Sequence, residues 1–171
     1  NNKIEENLLN DSITILYSNK IYEIKNNSIL IALEHSSFFD EINEYNLHDY
    51  INIIEKISKY ATKLNHNIYI KYHPRENNEY LNEFILNNDN MFLLDKNIPM
   101  EAFFKDKNII LISLRSTSII TFCKILGLKN AICIQNLINK NKDDLYTAFV
   151  KLGVFFPNSV EEIILKIKNN V

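Results

Sequence analysis

Three short stretches carry the residues best suited to chemistry. The first is Tyr69-Ile-Lys-Tyr-His-Pro-Arg-Glu76, in which a β-rich run stops at His73-Pro74. Proline disfavours helical dihedrals in the residue before it, so His73 is held extended at a strand end. Alone, His73-Pro74 reads as a chain-turning device. The second stretch is Ser113-Leu-Arg-Ser-Thr-Ser118, which sits between a buried strand and an apolar helix. The first N–H groups of a helix lack intrahelical acceptors and carry the positive end of its dipole. One hydroxyl suffices for an N-cap. Ser113, Ser116, Thr117 and Ser118 with Arg115 exceed that need and point to an anion site built without glycine. The third is Ile98-Pro-Met-Glu101, where Pro99 suits a first helical turn. Glu101 there either complements the helix dipole or accepts two ribose hydroxyls, as carboxylates beside nucleotides do. An imidazole and a helix start around one phosphate would hold the leaving group of a nucleotide sugar.

These groups meet only if the elements bring them to one edge. Ser28–Leu33 and Asn108–Ser113 are apolar runs of strand length, and Asn67–Tyr72 is a short β-rich run. Such apolar runs suit strands buried on both faces of a parallel sheet. Ser12–Tyr17, Met91–Leu94 and Ala131–Ile134 read as further strands, and Ile21–Ile24 as a strand or loop. Between them, Leu47–Leu64 repeats Tyr50, Ile53, Ile54, Ile57, Tyr60, Ala61 and Leu64 at helical spacing. Glu79–Leu86, Ile119–Leu126, Leu145–Leu152 and Val160–Ile167 are also helical patterns. Gly127 suits a C-cap, and Asn158 or Ser159 an N-cap. Residues 1–10 have no clear period and read as a linker or helix remnant. Alternation of strand and helix predicts an α/β fold, a Rossmann-like parallel sheet with helices on both faces. In that fold, strands 67–72 and 108–113 end at the same edge. Glu34-His-Ser-Ser-Phe-Phe-Asp40 is a polar loop at that edge too; it is rightly placed for a ligand but not diagnostic, which leaves Ser36 a weaker candidate beside Ser113 and Ser118.

Composition narrows the classes. A length of 171 residues with 46% hydrophobic and 23% charged residues suits one soluble globular domain. A net charge of -2 gives no electrostatic case for nucleic acid. Only two glycines, Gly127 and Gly153, rule out a P-loop or GxGxxG cradle. Cys123 and Cys133 lack metal-ligand spacing and read as reduced core residues of a cytosolic protein. No Asp/Glu cluster points to a metal, and no Ser/His/Asp order points to acyl transfer. His48 and His66 read as helix-terminal residues. No run has the length of a membrane span and no secretory signal opens the chain.

Taken together, Lys71-Tyr-His-Pro-Arg-Glu76, Ile98-Pro-Met-Glu101 and Ser116-Thr117 before an apolar helix resemble the donor half of bacterial sialyltransferases. These comprise the lipooligosaccharide sialyltransferases and the capsular polysialyltransferases, marked by an HP motif and a downstream Ser-Ser or Ser-Thr motif. The resemblance covers roughly residues 28–165. It implies the carboxyl-terminal domain of a GT-B glycosyltransferase over residues 28–171, with 1–27 a linker and first-strand region. It further implies CMP-sialic acid as donor, a lipooligosaccharide or capsular glycan as acceptor, inversion, and no metal or other cofactor. Under it, His73 contacts the CMP phosphate and assists its departure, and Pro74 of the same motif belongs to the nucleotide-binding set. Ser116 and Thr117 bind the same phosphate, and Glu101 holds the ribose.

The family's general base lies in a D/E-D/E-G motif of the amino-terminal domain. This chain has none: Asp143-Asp144 is followed by Leu145 and lies downstream of the HP. The chain, which opens Asn1-Asn2, therefore reads as a donor-binding segment of a longer protein whose acceptor domain is absent. Alone it is expected to turn over little or no substrate. The expected location is cytoplasmic, with peripheral association at the inner membrane face open to the intact protein. Two rivals stand. A CDP-glycerol-type glycerophosphotransferase also places an HP and a serine pair in such a domain. A non-enzymatic flavodoxin-like binding domain shares the fold, although the strand ends carry Glu34, His73 and Ser116 rather than a receiver's acidic cluster.

Overall fold

The structure is a computed structural model that describes residues 7–8, 24–25, 27–41, 46–103, 108–127, 129–139 and 142–169. The strand read at Ser12–Tyr17, the segment 1–10 (save residues 7–8) and all of Ile21–Ile24 but Ile24 itself lie outside the described residues. Five strands form one sheet: β1 (Ile29–Ala32), β2 (Ile68–Lys71), β3 (Met91–Leu93), β4 (Ile110–Ser113) and β5 (Ala131–Cys133). Their order is β3-β2-β1-β4-β5, and every pairing is parallel. This is the Rossmann-like layer that the alternating pattern predicts.

The apolar runs are strands because both sheet faces are covered. Ile29, Ile31, Ile68, Ile70, Ile110, Ile112 and Ile132 point to one face. There they meet Tyr50, Ile54, Ile57 and Ala61 of α2 (Leu47–Lys63) and Ile163 and Ile167 of α7 (Val160–Lys168). Leu30, Ala32, Tyr69, Leu111, Ala131 and Cys133 point to the other. That side is closed by Met100 and Phe103 of a 3-10 turn (Met100–Phe103), by Ile119 and Phe122, and by Phe149 of α6 (Asp144–Lys151). Each fully buried Ile, Leu or Phe contributes about 1.5–3 kcal/mol relative to exposure. The two cores, and not local propensity, therefore hold the short strands.

Caps set the helix ends. Asn46 accepts from His48 N and Asp49 N ahead of α2, and Ser159 accepts from Glu162 N ahead of α7. Gly127 has φ +65, the left-handed geometry of a C-cap.

Several elements depart from the sequence reading. The loop read over 34–40 closes into a short helix, α1 (Ser37–Glu41). His35 Nδ1 accepts from Ser37 N at 3.1 Å, and Phe39 packs its ring 5.0 Å from Tyr50. The helix read from Glu79 begins at Asn82 as α3 (Asn82–Leu86). Pro99 opens the 3-10 turn and not an α-helix. The helix after β4 starts as α4 (Ser118–Ile120) and widens into a π-segment, Thr121–Ile125, with Leu126 N bonded to Thr121 O. A further short helix, α5 (Gln135–Ile138), follows β5. Among the described residues no helix is long and apolar enough to cross a membrane.

Candidate functional site

The chain runs from β1 outward to β2 and β3, then returns across β1 to β4 and β5. The strand order reverses between β1 and β4. In open parallel sheets the crevice outside the carboxyl ends at such a reversal is where ligands bind. Three loops meet at this edge: 33–36 after β1, 72–76 after β2 and 114–117 after β4.

His73 and the Ser116/Thr117 pair do end at one edge, but β1 stands between them. Ala32 is in register with both Lys71 and Ser113. Two strand spacings, about 10 Å, therefore separate β2 from β4. The loop that fills the interval is Glu34-His35-Ser36, so Ser36 is more central than its sequence context suggested.

The first two loops are joined by side chains. Glu76 is buried, 1% exposed. Its carboxylate accepts from Ser36 N at 2.6 Å, Ser36 Oγ at 3.0 Å and Asn78 N at 2.7 Å. Burial pushes its pKa up, but the bonds from Asn78 and Ser36 outweigh that and hold it below the usual carboxylate value. His35 Nε2 lies 2.9 Å from Arg75 O, and the His35 ring meets the His73 ring edge-on at 5.5 Å. His73 is half-buried, and Arg75 N donates to its Nδ1 at 3.2 Å. Burial, then Arg75, His35 and Lys71, lower the His73 pKa, with Glu76 acting in the opposite direction. Beneath these loops, Glu34 N donates to Tyr50 Oη at 3.1 Å and Tyr80 Oη donates to Glu34 O at 2.7 Å. Burial raises the pKa of the Glu34 carboxyl, against its bond from His35 N and the charge of Arg115.

The loop after β4 uses its hydroxyls locally. Ser113 Oγ accepts from Ser116 N, and Ser116 Oγ accepts from Ser118 N, both at 3.2 Å. These bonds close the turn ahead of the helix and do not form its side-chain N-cap. Ser116, half-buried, keeps its own hydroxyl proton to donate, whereas Ser113 is buried beneath the turn. Thr117 is exposed and makes no side-chain cap bond. Arg115 pairs with Asp143, the N-cap of α6, at 2.5 Å and lies 5.7 Å over the Phe38 ring.

Glu101, on the 3-10 turn, is half-buried. Its charge acts on Lys71, whose Nζ donates to Lys96 O at 3.1 Å. Lys71 is 4% exposed, and burial lowers its pKa below the ordinary 10.5 against the pull of Glu101 and Asp95. A depressed lysine pKa means that the unfolded chain binds more protons between the folded value and 10.5. Stability from this group therefore rises with pH through that window. Lys71→Met should leave the urea midpoint at pH 7 unchanged, or raise stability by up to about 1 kcal/mol. Wild type should then gain on the variant as pH rises towards 10.5; a constant difference would show that burial does not lower the Lys71 pKa.

His35, Glu34 and Glu76 escaped sequence reasoning as site residues. The available signal was positional: Glu34 and His35 directly follow a doubly buried apolar run, at the edge where parallel sheets bind ligands. Among the described residues no group of three or more His, Cys, Asp or Glu side chains could hold a metal ion.

Comparison with known proteins gives a consistent placement. The family model described as alpha-2,8-polysialyltransferase (POLYST) matches residues 1–135. No curated protein and no solved structure matches the chain. The matched stretch takes in β1 to β5, all three loops at the reversal point with His73 and Ser116, and the 3-10 turn that carries Glu101. The chain therefore belongs to the alpha-2,8-polysialyltransferase family, and so to the sialyltransferase type of glycosyltransferase.

Proposed function

We propose that this chain is the donor-binding part of an inverting, metal-independent glycosyltransferase that moves sialic acid from CMP-sialic acid to a cell-surface glycan. The observation that carries the reading is the convergence of the His73 loop and the Ser116/Thr117 helix start on the edge where the sheet order reverses. Bond cleavage at the sialic acid carbon leaves negative charge on the CMP phosphate. Hydrogen-bond donors placed at that developing charge lower the barrier. His73 Nε2–H meets the phosphate from the β2 side, and the hydroxyl protons of Ser116 and Thr117 meet it from the β4 side. Ser113 and Ser118 set the geometry of that turn. Glu101 accepts the ribose hydroxyls. The acceptor glycan and its activating base are supplied by the amino-terminal domain of the GT-B arrangement. The setting proposed is the cytoplasm, where the free thiols of Cys123 and Cys133 would stay reduced.

Titration calorimetry with CMP, CDP and UDP tests the reading. CMP should bind at least about tenfold more tightly than either diphosphate, a difference of about 1.4 kcal/mol. A preference for CDP would assign the site to a CDP-alcohol phosphotransferase instead, and no binding to any of the three would remove the nucleotide altogether.

A further inference from the structure

We propose that His35 and Glu76 are positioning residues for His73: they fasten the loop after β2 to the loop after β1 and hold His73 as a neutral ring with its proton on Nε2. The clause about what Nε2–H meets rests on the donor-phosphate reading above; the fastening itself does not.

The hydrogen bonds assign both rings. Ser37 N is a backbone donor, and it lies 3.1 Å from His35 Nδ1, so that nitrogen must present its lone pair. Ser37 Oγ stands 2.6 Å from the same atom. The His35 proton is then on Nε2, which faces Arg75 O, an acceptor, at 2.9 Å. One tautomer satisfies every contact. Both nitrogens are consumed by the protein, so His35 cannot relay a proton to a substrate. What remains is a mechanical link between loops.

Arg75 passes that link on. Its carbonyl is held by His35, and its N–H donates to His73 Nδ1 at 3.2 Å. A backbone donor there requires a lone pair on Nδ1, so the neutral His73 ring carries its proton on Nε2. Glu76 closes the same loop from its other side through Ser36 and Asn78. Lys96 Nζ holds the Glu76 carbonyl at 2.6 Å. The titratable groups acting on the His73 ring are Arg75, His35, Lys71 and Glu76; His35 is neutral in this tautomer, so burial with the Arg75 and Lys71 charges favours the neutral form, against Glu76. A neutral imidazole gives a hydrogen bond to the leaving phosphate and keeps its proton. CMP then departs as an anion stabilised by donors, not as an acid protonated by His73.

Nitrogen NMR of the histidine-labelled chain at neutral pH reads this directly, with four histidines to assign. His35 and His73 should both show an unprotonated Nδ1 and a protonated Nε2. His35→Phe keeps the ring edge against His73 but loses the link to Arg75 O. It should turn His73 into a tautomer mixture and weaken CMP binding about three- to tenfold, the loss of roughly one hydrogen bond. His35→Gln, whose amide N–H can reach the same carbonyl, should restore both. A wild-type His73 protonated on Nδ1 overturns the proposal, as does an unchanged tautomer ratio in a folded His35→Phe protein. Should His35→Phe fail to fold, the wild-type tautomers still decide. If they are as expected but CMP leaves the His73 Nε2 signal unmoved, the fastening stands and the donor-phosphate reading fails.

Discussion

Glu76→Ala is expected to destabilise the fold by about 2–4 kcal/mol and to abolish measurable CMP binding. Glu76 is 1% exposed and its carboxylate accepts three short hydrogen bonds. Hydrogen bonds to charged groups contribute about 1.5–3 kcal/mol each, and an orphaned buried donor costs about 1–3 kcal/mol. The full sum is not reached, because Asn78 is exposed and its N–H regains water, whereas Ser36 is only half-buried. The loss reaches the site because Ser36 and His35 share one loop, and Glu76 and His73 share the other. Urea unfolding of wild type, Glu76→Ala and the isosteric Glu76→Gln measures the stability term. The pH dependence has a definite sign. Glu76 has a folded pKa held below its ordinary 4.5. The carboxylate therefore contributes fully above pH 4.5, and its contribution is lost as pH falls through the depressed folded value. The gap between wild type and Glu76→Gln should be constant from pH 8 to 5 and shrink below about 4. A gap that persists into strong acid would show that the charge is not what holds the loops.

What could be read from the chain was set by the physics of burial. β1 and β4 announce themselves because a strand covered on both faces needs an unbroken apolar run, and both have one; β2 shows as a β-rich run despite the buried Lys71 at its end. The stripe from Tyr50 to Ala61 identifies α2 because a helix of 17 residues repeats its period enough times to be seen. Strand order is a different matter. Alternating strands and helices fix parallelism, but nothing local says that β1 lies between β2 and β4. His73, Ser116 and the 34–40 loop can all be placed at one edge from the sequence, but the sequence does not show that Glu34, His35 and Ser36 fill the space between the other two. The Arg115–Asp143 pair is hidden for the same reason, since it joins a strand-end loop to a helix cap 28 positions away. Short elements were lost to tertiary effects. Ser37–Glu41 has little helical propensity; it forms because His35 Nδ1 takes the Ser37 N–H and Phe39 packs on Tyr50. The serine cluster was half legible. Its excess of hydroxyls was visible, but not that Ser113 and Ser116 each use an oxygen lone pair to hold the turn.

His73→Ala is expected to weaken CMP binding by about 1.5–3 kcal/mol, roughly 10- to 150-fold in Kd. The range is that of a hydrogen bond to a charged partner, here from Nε2–H to the phosphate. It applies in full only where water is excluded, and the half-buried position of His73 at the reversal point meets that condition in part. The fold itself should barely respond. The ring accepts from Arg75 N within its own turn, while the Glu76 N to His73 O bond that closes the turn is backbone and survives truncation. Affinity and stability should thus separate in His73→Ala and fall together in Glu76→Ala. Thermal unfolding with and without CMP distinguishes them: His73→Ala should melt near the wild-type temperature when free and lose most of the CMP-induced shift. An equal shift in wild type and His73→Ala would place the nucleotide elsewhere on the molecule. His73→Gln sharpens the argument, because its amide N–H can donate but cannot carry the imidazolium charge. Partial recovery of the shift in His73→Gln is the outcome for a neutral donor. No recovery at all would mean that the phosphate needs the charged ring.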